Sequence, residues 1–192
     1  MKETIFIEEK SFENLDFKVE SLQAGEYEYC TFINCDFSNC NISEFRFMEC
    51  EFISCNLSLT KIVKTAFQDV KFRSCKMLGL QFDTCNEFGL SFSFDDCSLN
   101  HSSFYQRKLK KTIFRGSQLH EVDFTGCDLT GAQFDNCDLS GAAFENTILK
   151  TADFRTSINY SINPDINQIK KAKFSIPAVI GLLDRYDIKI EK

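Results

Sequence analysis

The sequence predicts a solenoid, a chain that turns at regular intervals and buries one large side chain in every short segment. Three observations carry this expectation. Large apolar residues recur at every fifth position from Phe12 to Phe92, and again from Leu99 to Phe154. Two places before each of them stands a small-residue slot, and that slot holds all ten cysteines. A period of five matches neither the 3.6-residue helix nor the two-residue strand, so the chain must turn between segments.

The elements follow in order. Residues 1–11 precede the first repeat and form an N-terminal cap. Residues 12–156 carry the repeat. In its first run sixteen of seventeen slots are apolar or aromatic, and Glu87 is the exception. In its second run twelve slots alternate Leu and Phe from Leu99 to Phe154. The stretch CTFINCDFSNC (30–40) shows the logic of the small slot. Elsewhere the same slot holds Ala132, Ser102, Thr60 or Val122, so the cysteines are packing residues, small and buried. No Cys-x-x-Cys occurs, and no metal is expected. Stacked Cys35, Cys55 and Cys75 would lie within disulfide reach, which a reducing cytoplasm opposes.

Two places break the pattern. From Phe82 to Phe94 the spacing is two residues longer than two repeats, which predicts a short loop around Asn86–Gly89 within 83–93. Arg107 occupies a small slot, where an unpaired guanidinium is too costly to bury. Either the coil opens at 105–111 or Arg107 points outward, and Lys108, Lys110 and Lys111 then form a basic patch. After Phe154 the tail (157–192) reads as a C-terminal cap. SINPDINQIKKAKF (161–174) is an irregular last coil turning at Asn163-Pro164. SIPAVIGLLDRY (175–186) reads as a helix over about 176–186, with Ser175 as N-cap and Ile176, Val179, Ile180 and Leu183 on one face. DIKI (187–190) alternates like a short strand.

Composition narrows the function. The chain has 192 residues with 21 Phe and no Trp, enough for one sizeable domain. No apolar run approaches the ~18 residues of a membrane helix, and MKETIFIEE lacks a signal-peptide core. A cytoplasmic location without a membrane partner is expected. The net charge of −6 is uneven: residues 1–60 hold twelve acids against four bases, and residues 101–192 eleven acids against thirteen bases. Direct nucleic-acid binding calls for a basic stripe, which is missing, whereas the acidic end suits a basic partner. No catalytic constellation is visible. His101 and His120 have no ligand spacing, and Asp123, Asp128, Asp138 and Asp153 sit where turn chemistry explains them. An enzyme and a cofactor are therefore not expected.

The segments CDLTG (127–131), AQFDN (132–136), CDLSG (137–141), AAFEN (142–146) and ADFRT (152–156) resemble the pentapeptide-repeat family. The resemblance spans about residues 12–156. It implies an all-β fold, a right-handed quadrilateral β-helix with four repeats per coil and a short C-terminal helix. The 29 slots make about seven coils, a rod about 34 Å long at ~4.8 Å per coil. The tail resembles that of the Qnr and microcin B17 immunity (McbG) group. This implies an end-to-end homodimer through Ile176, Val179, Ile180 and Leu183, the alternative being a plain cap on a monomer.

The same resemblance implies a function. One face of the N-terminal half carries Glu26, Glu28, Glu49 and Asp69 against Arg46. Regularly spaced carboxylates on a narrow rod imitate duplex phosphates. The implied partner is DNA gyrase or topoisomerase IV, and the implied role is protection from a quinolone or a peptide toxin. The chain lacks long outward loops, which brings it nearer the McbG type than the Qnr type. The alternative is a non-enzymatic interaction scaffold with another partner.

Overall fold

The computed structural model describes residues 5–191. Among the described residues eleven short strands form: β1 (Ile5–Glu8), β2 (Ser11–Glu13), β3 (Gly25–Glu28), β4 (Thr31–Ile33), β5 (Arg46–Met48), β6 (Glu51–Ile53), β7 (Ala66–Gln68), β8 (Val70–Arg73), β9 (Phe92–Asp95), β10 (Ile113–Arg115) and β11 (Gln133–Asp135). They form two parallel sheets. One runs β1-β3-β5-β7, the other β2-β4-β6-β8-β9-β10-β11, one strand per coil. The remaining two sides are held by isolated parallel bridges such as Asp16↔Asp36 and Asn41↔Lys61. The result is the expected right-handed, four-sided β-helix.

The fifth-position residues fill the interior. Phe12, Phe32, Phe52, Phe72, Phe94, Phe114, Phe134, Phe154 and Phe174 stack as one continuous ladder, with successive ring centroids 4.7 to 5.5 Å apart. Rings of adjacent sides meet edge to face, as Phe114 does with Phe124 at 5.8 Å. Both geometries suit the aromatic quadrupole. At most corners the residue two places after the centre adopts positive φ, for example Asn34 (52°), Asn136 (52°) and Gly116 (57°). Asn tolerates that region and Gly occupies it without strain. At Gly116 an added Cβ would lie 2.1 Å from Asp96 Oδ1.

The small slot has a second requirement beyond size. Cys55 Sγ donates to the Phe32 carbonyl (3.3 Å), Thr60 Oγ1 to Phe37 (2.8 Å) and Thr147 Oγ1 to Phe124 (2.9 Å), each 23 residues back. Asn167 Nδ2 does the same to Phe144 at 2.6 Å. A short donor thus reaches the carbonyl of a central residue one coil below, which is why Cys, Ser and Thr interchange there. All ten cysteines are free thiols. Burial pushes the Cys50, Cys127 and Cys137 thiols up to about 12.

The two irregularities of the sequence are one structural device. Across residues 85–91 the stacking offset lengthens, so that β8 pairs Val70 with Phe92 and Phe72 with Phe94. Glu87 leaves the interior and is exposed. Arg107 neither opens its coil nor points into solvent, contrary to both expectations. The coil stays closed through Arg107 N to Phe104 O (2.9 Å) and Leu109 N to Asp128 O (2.8 Å). The guanidinium runs back along the edge, donates to the Asp83 carbonyl and lies 3.6 Å from Glu87. The looser loop supplies two partners for this part-buried charge, while Arg107 Nε keeps none within the chain.

The tail differs from expectation. In place of one helix over 176–186, two short 3-10 turns form at Val179–Leu182 and Asp184–Tyr186. No side-chain cap is made; Ser175 instead accepts Val179 N–H through its backbone carbonyl at 3.0 Å. The reason is close contact. Ile162 N–H bonds Gly181 O, and a Cβ at Gly181 would lie 1.9 Å from Tyr160 O. The backbone presses directly on the last coil and winds too tightly for an α-helix. Residues 187–190 form no strand, because no neighbouring strand pairs with them.

Candidate functional site

The side that begins with β1, β3, β5 and β7 carries the site. Its central residues are Ile7, Tyr27, Phe47 and Phe67, then the loop at 86–89, then Leu109, Leu129, Leu149 and Ile169. These make nine levels, or rungs. At each rung three positions face outward, the residue before the centre, the residue after it and the corner residue beyond, except at the fourth, where Ala66 before the centre is buried.

The predicted acidic residues lie together on the first four rungs. Glu26 is neutralised by Arg46, its neighbour on the next rung, at 3.1 Å. Glu28 stands in register with Glu8 and Met48. Glu49 accepts the Tyr29 hydroxyl at 2.9 Å, and Asp69 accepts Ser91 Oγ at 3.0 Å. Hydrogen bonding to Glu49, followed by the charges of Glu49, Glu28 and Glu8, raises the Tyr29 hydroxyl. Sequence reasoning missed Glu8 and Glu9. Stepping back by twenty from Glu28, and by forty from Glu49, would have found them.

The same side changes sign past the loop. Rungs six to nine present Lys108, Lys110 and Lys111, then Asp128, then Lys150, then Lys170 and Lys171. Lys110 is paired to Asp128 at 3.2 Å. At the loop Phe88 stands 80% exposed, its carbonyl accepting Gln68 Nε2.

The C-terminal end is apolar. Ala178 and Leu182 pack on the last coil, while Ile176, Val179, Ile180 and Leu183 remain exposed, Ile176 at 88%. The predicted residues are therefore all on the outside of the cap, although not on a helix.

The aspartates before the centres serve the turns. Asp36, Asp123, Asp138 and Asp153 each accept the N–H two residues on, at 2.8 to 3.2 Å. Burial opposes ionisation of Asp36 and Asp138, but hydrogen bonds from Lys18 and Ser38, and from Ser140 and Asn159, hold both at about 2. Arg155 holds Asp153 at about 2 against the same burial. Among the described residues, no group of three or more His, Cys, Asp or Glu is placed to hold a metal. Among them also, no helix is long and apolar enough to cross a membrane.

The coils define a parallel β-solenoid built on a five-residue repeat. The chain belongs to the pentapeptide repeat family, whose model, described as a pentapeptide repeat region, matches residues 26–93 and 81–154. Comparison with curated proteins gives no match. Among solved structures, a trypsin-treated variant of QnrB1, a plasmid-mediated fluoroquinolone resistance protein, is 19% identical over 98% of both chains, with a TM-score of 0.48. Full-length QnrB1 is 20% identical over 95% of this chain and 100% of its own, with a TM-score of 0.41. HetL from the cyanobacterium Nostoc, involved in heterocyst differentiation regulation, is 13% identical over 89% and 86%, with a TM-score of 0.39.

Proposed function

We propose that this protein is a non-catalytic, cytoplasmic interaction rod whose acidic half-face imitates DNA. On this reading it occupies the basic DNA-binding surface of DNA gyrase or topoisomerase IV and protects the enzyme from a quinolone or a peptide toxin. The observation that carries the reading is the placement of Glu8, Glu9, Glu28, Glu49 and Asp69 along one side of a narrow rod. Coils recur about every 4.8 Å along the rod, against one phosphate per ~3.4 Å of helix axis on each DNA strand. The exposed Ile176, Val179, Ile180 and Leu183 support an end-to-end homodimer, which would lengthen the rod. The test is gyrase supercoiling with and without ciprofloxacin. Inhibition or drug rescue by the wild type, lost in Glu28→Lys with Glu49→Lys, is the expected result. No effect of well-folded protein on either count would reject it.

A second reading has an observation of its own. The side is acidic over only half its length, and a mimic of a long duplex would be acidic throughout. A scaffold for a partner with mixed charge fits that division: its capture in a pull-down should be lost in Lys150→Glu with Lys170→Glu as well as in Glu28→Lys with Glu49→Lys, whereas gyrase binding should be lost only in the latter.

A further inference from the structure

The charge division on the β1 side follows a pattern. The first four rungs present six carboxylates (Glu8, Glu9, Glu26, Glu28, Glu49, Asp69) against Arg46, net −5; the last four present six lysines (Lys108, Lys110, Lys111, Lys150, Lys170, Lys171) against Asp128, net +5. Phe88 lies on the fifth rung, the middle of nine. On the side built from β2 to β11, acids and bases alternate instead, as Glu51, Arg73, Asp95, Arg115 and Asp135 do.

We propose that this side is a self-complementary surface on which two copies of the chain associate side by side and antiparallel. Take a two-fold axis in the plane of contact, perpendicular to the rod and level with the fifth rung. It places rung one against rung nine, two against eight, three against seven and four against six. Because the axis runs across the rod, each outward column faces its own column. The pairs that result are Glu8 with Lys170, Glu9 with Lys171, Glu28 with Lys150, Arg46 with Asp128, and Asp69 with Lys111, each occurring twice. Phe88 meets Phe88 of the second copy at the axis. No like-charged pair is created at the matched positions. A two-fold axis along the rod would instead put acid on acid and base on base. Among the described residues, Glu8, Glu9, Glu28, Glu49, Asp69, Lys108, Lys111, Lys150, Lys170 and Lys171 have no ion-pair partner within the chain, so they are free for one outside it.

The size of the surface sets the strength. Eight intervals of about 4.8 Å and a three- to four-residue width give roughly 450 Å² per copy, below the ~800 Å² per partner of a stable interface. The dimer is therefore weak, and its register and salt dependence come from charge. This inference uses the same acidic residues as the gyrase reading but does not rest on it, and its test uses the protein alone.

The test is sedimentation at tens to hundreds of micromolar of the full chain carrying Ile180→Asp, which removes the end-to-end contact proposed above. Dimer is expected in ~20 mM salt and monomer in ~0.5 M salt, where screening acts within about 4 Å. Lys111→Glu/Lys150→Glu/Lys170→Glu turns the last four rungs from net +5 to −1 and sets acid against acid at the matched positions, and Glu8→Lys/Glu28→Lys/Asp69→Lys turns the first four from −5 to +1 and sets base against base. Each variant alone should be monomeric, and an equimolar mixture should form the heterodimer. Phe88→Cys should cross-link across the axis on oxidation in low salt and not in high salt. Restoring Ile180 should add the end-to-end contact, which salt does not dissolve, and leave the salt-dependent step in place. A monomer at every concentration in low salt, a dimer indifferent to salt, or variants that fail to pair when mixed would overturn the proposal.

Discussion

Replacing Phe114 with Leu tests how much of the rod's stability lies in ring stacking. Phe114 is fully buried, stacked on Phe94 at 5.2 Å and on Phe134 at 4.9 Å. Leucine already fills the alternate central slots, so the site tolerates its bulk, and the change of shape costs less than about 1.5 kcal/mol. Four ring pairs are lost, the two stacked ones and the edge-to-face pairs with Phe104 (6.0 Å) and Phe124 (5.8 Å), each worth about 0.5–1.5 kcal/mol beyond area and less than additive together. Together these predict about 2–4 kcal/mol, read as a lower midpoint in urea unfolding followed by circular dichroism. Leu119→Met, at an equally buried centre with no ring to lose, is the control and should cost under about 1.5 kcal/mol. Equal losses for the two variants would refute the argument that the ladder contributes more than its bulk.

Three further outcomes follow from particular residues. Gly116→Ala forces alanine to φ 57° and sets its Cβ against Asp96, and a loss of about 1–2 kcal/mol is expected in the same unfolding assay. The Asp36, Asp138 and Asp153 carboxyls are held at about 2, below the ~3.9 of an unfolded aspartate, so they stabilise the fold above that value. Their contribution should vanish as pH falls from about 4 to about 2, seen as a falling melting temperature that Asp138→Asn makes shallower. Of the cysteines only Cys40 is half-buried, so in native protein a thiol reagent should modify Cys40 first, and the other nine should react only on opening of the coils.

Most of the fold was legible because each coil repeats the same local problem. A large residue must go in, a small one must let the chain turn, and Asp or Asn must bond the turn. What escaped is what depends on the coil below. The bond from the small slot to a carbonyl 23 residues earlier has no signature beyond the preference for Cys, Ser and Thr. Arg107 and the long spacing before Phe94 looked like two faults, since nothing in the sequence joins Asp83 and Glu87 to a residue two dozen places on. In the tail, the spacing of Ile176, Val179, Ile180 and Leu183 is shared by an α-helix and by tighter turns. The contact of Gly181 with Tyr160 selects between them, and no periodicity encodes it. On the acidic side Glu26, Glu28, Glu49 and Asp69 were visible as a group; the loss of Glu26 to Arg46 needed the register.

The backbone ladder, in which Phe37 N–H bonds Asn56 O and Leu57 N–H bonds Lys76 O, ties each coil only to the next. Such a chain behaves as a one-dimensional array, with stability that is a sum over nearest-neighbour contacts. Folding can start at any well-packed pair of coils and spread both ways, since no bond waits for the termini to meet. Amide protons should then exchange fastest at the two ends and slowest around the middle of the Phe ladder, a gradient of protection along the rod instead of a single global opening.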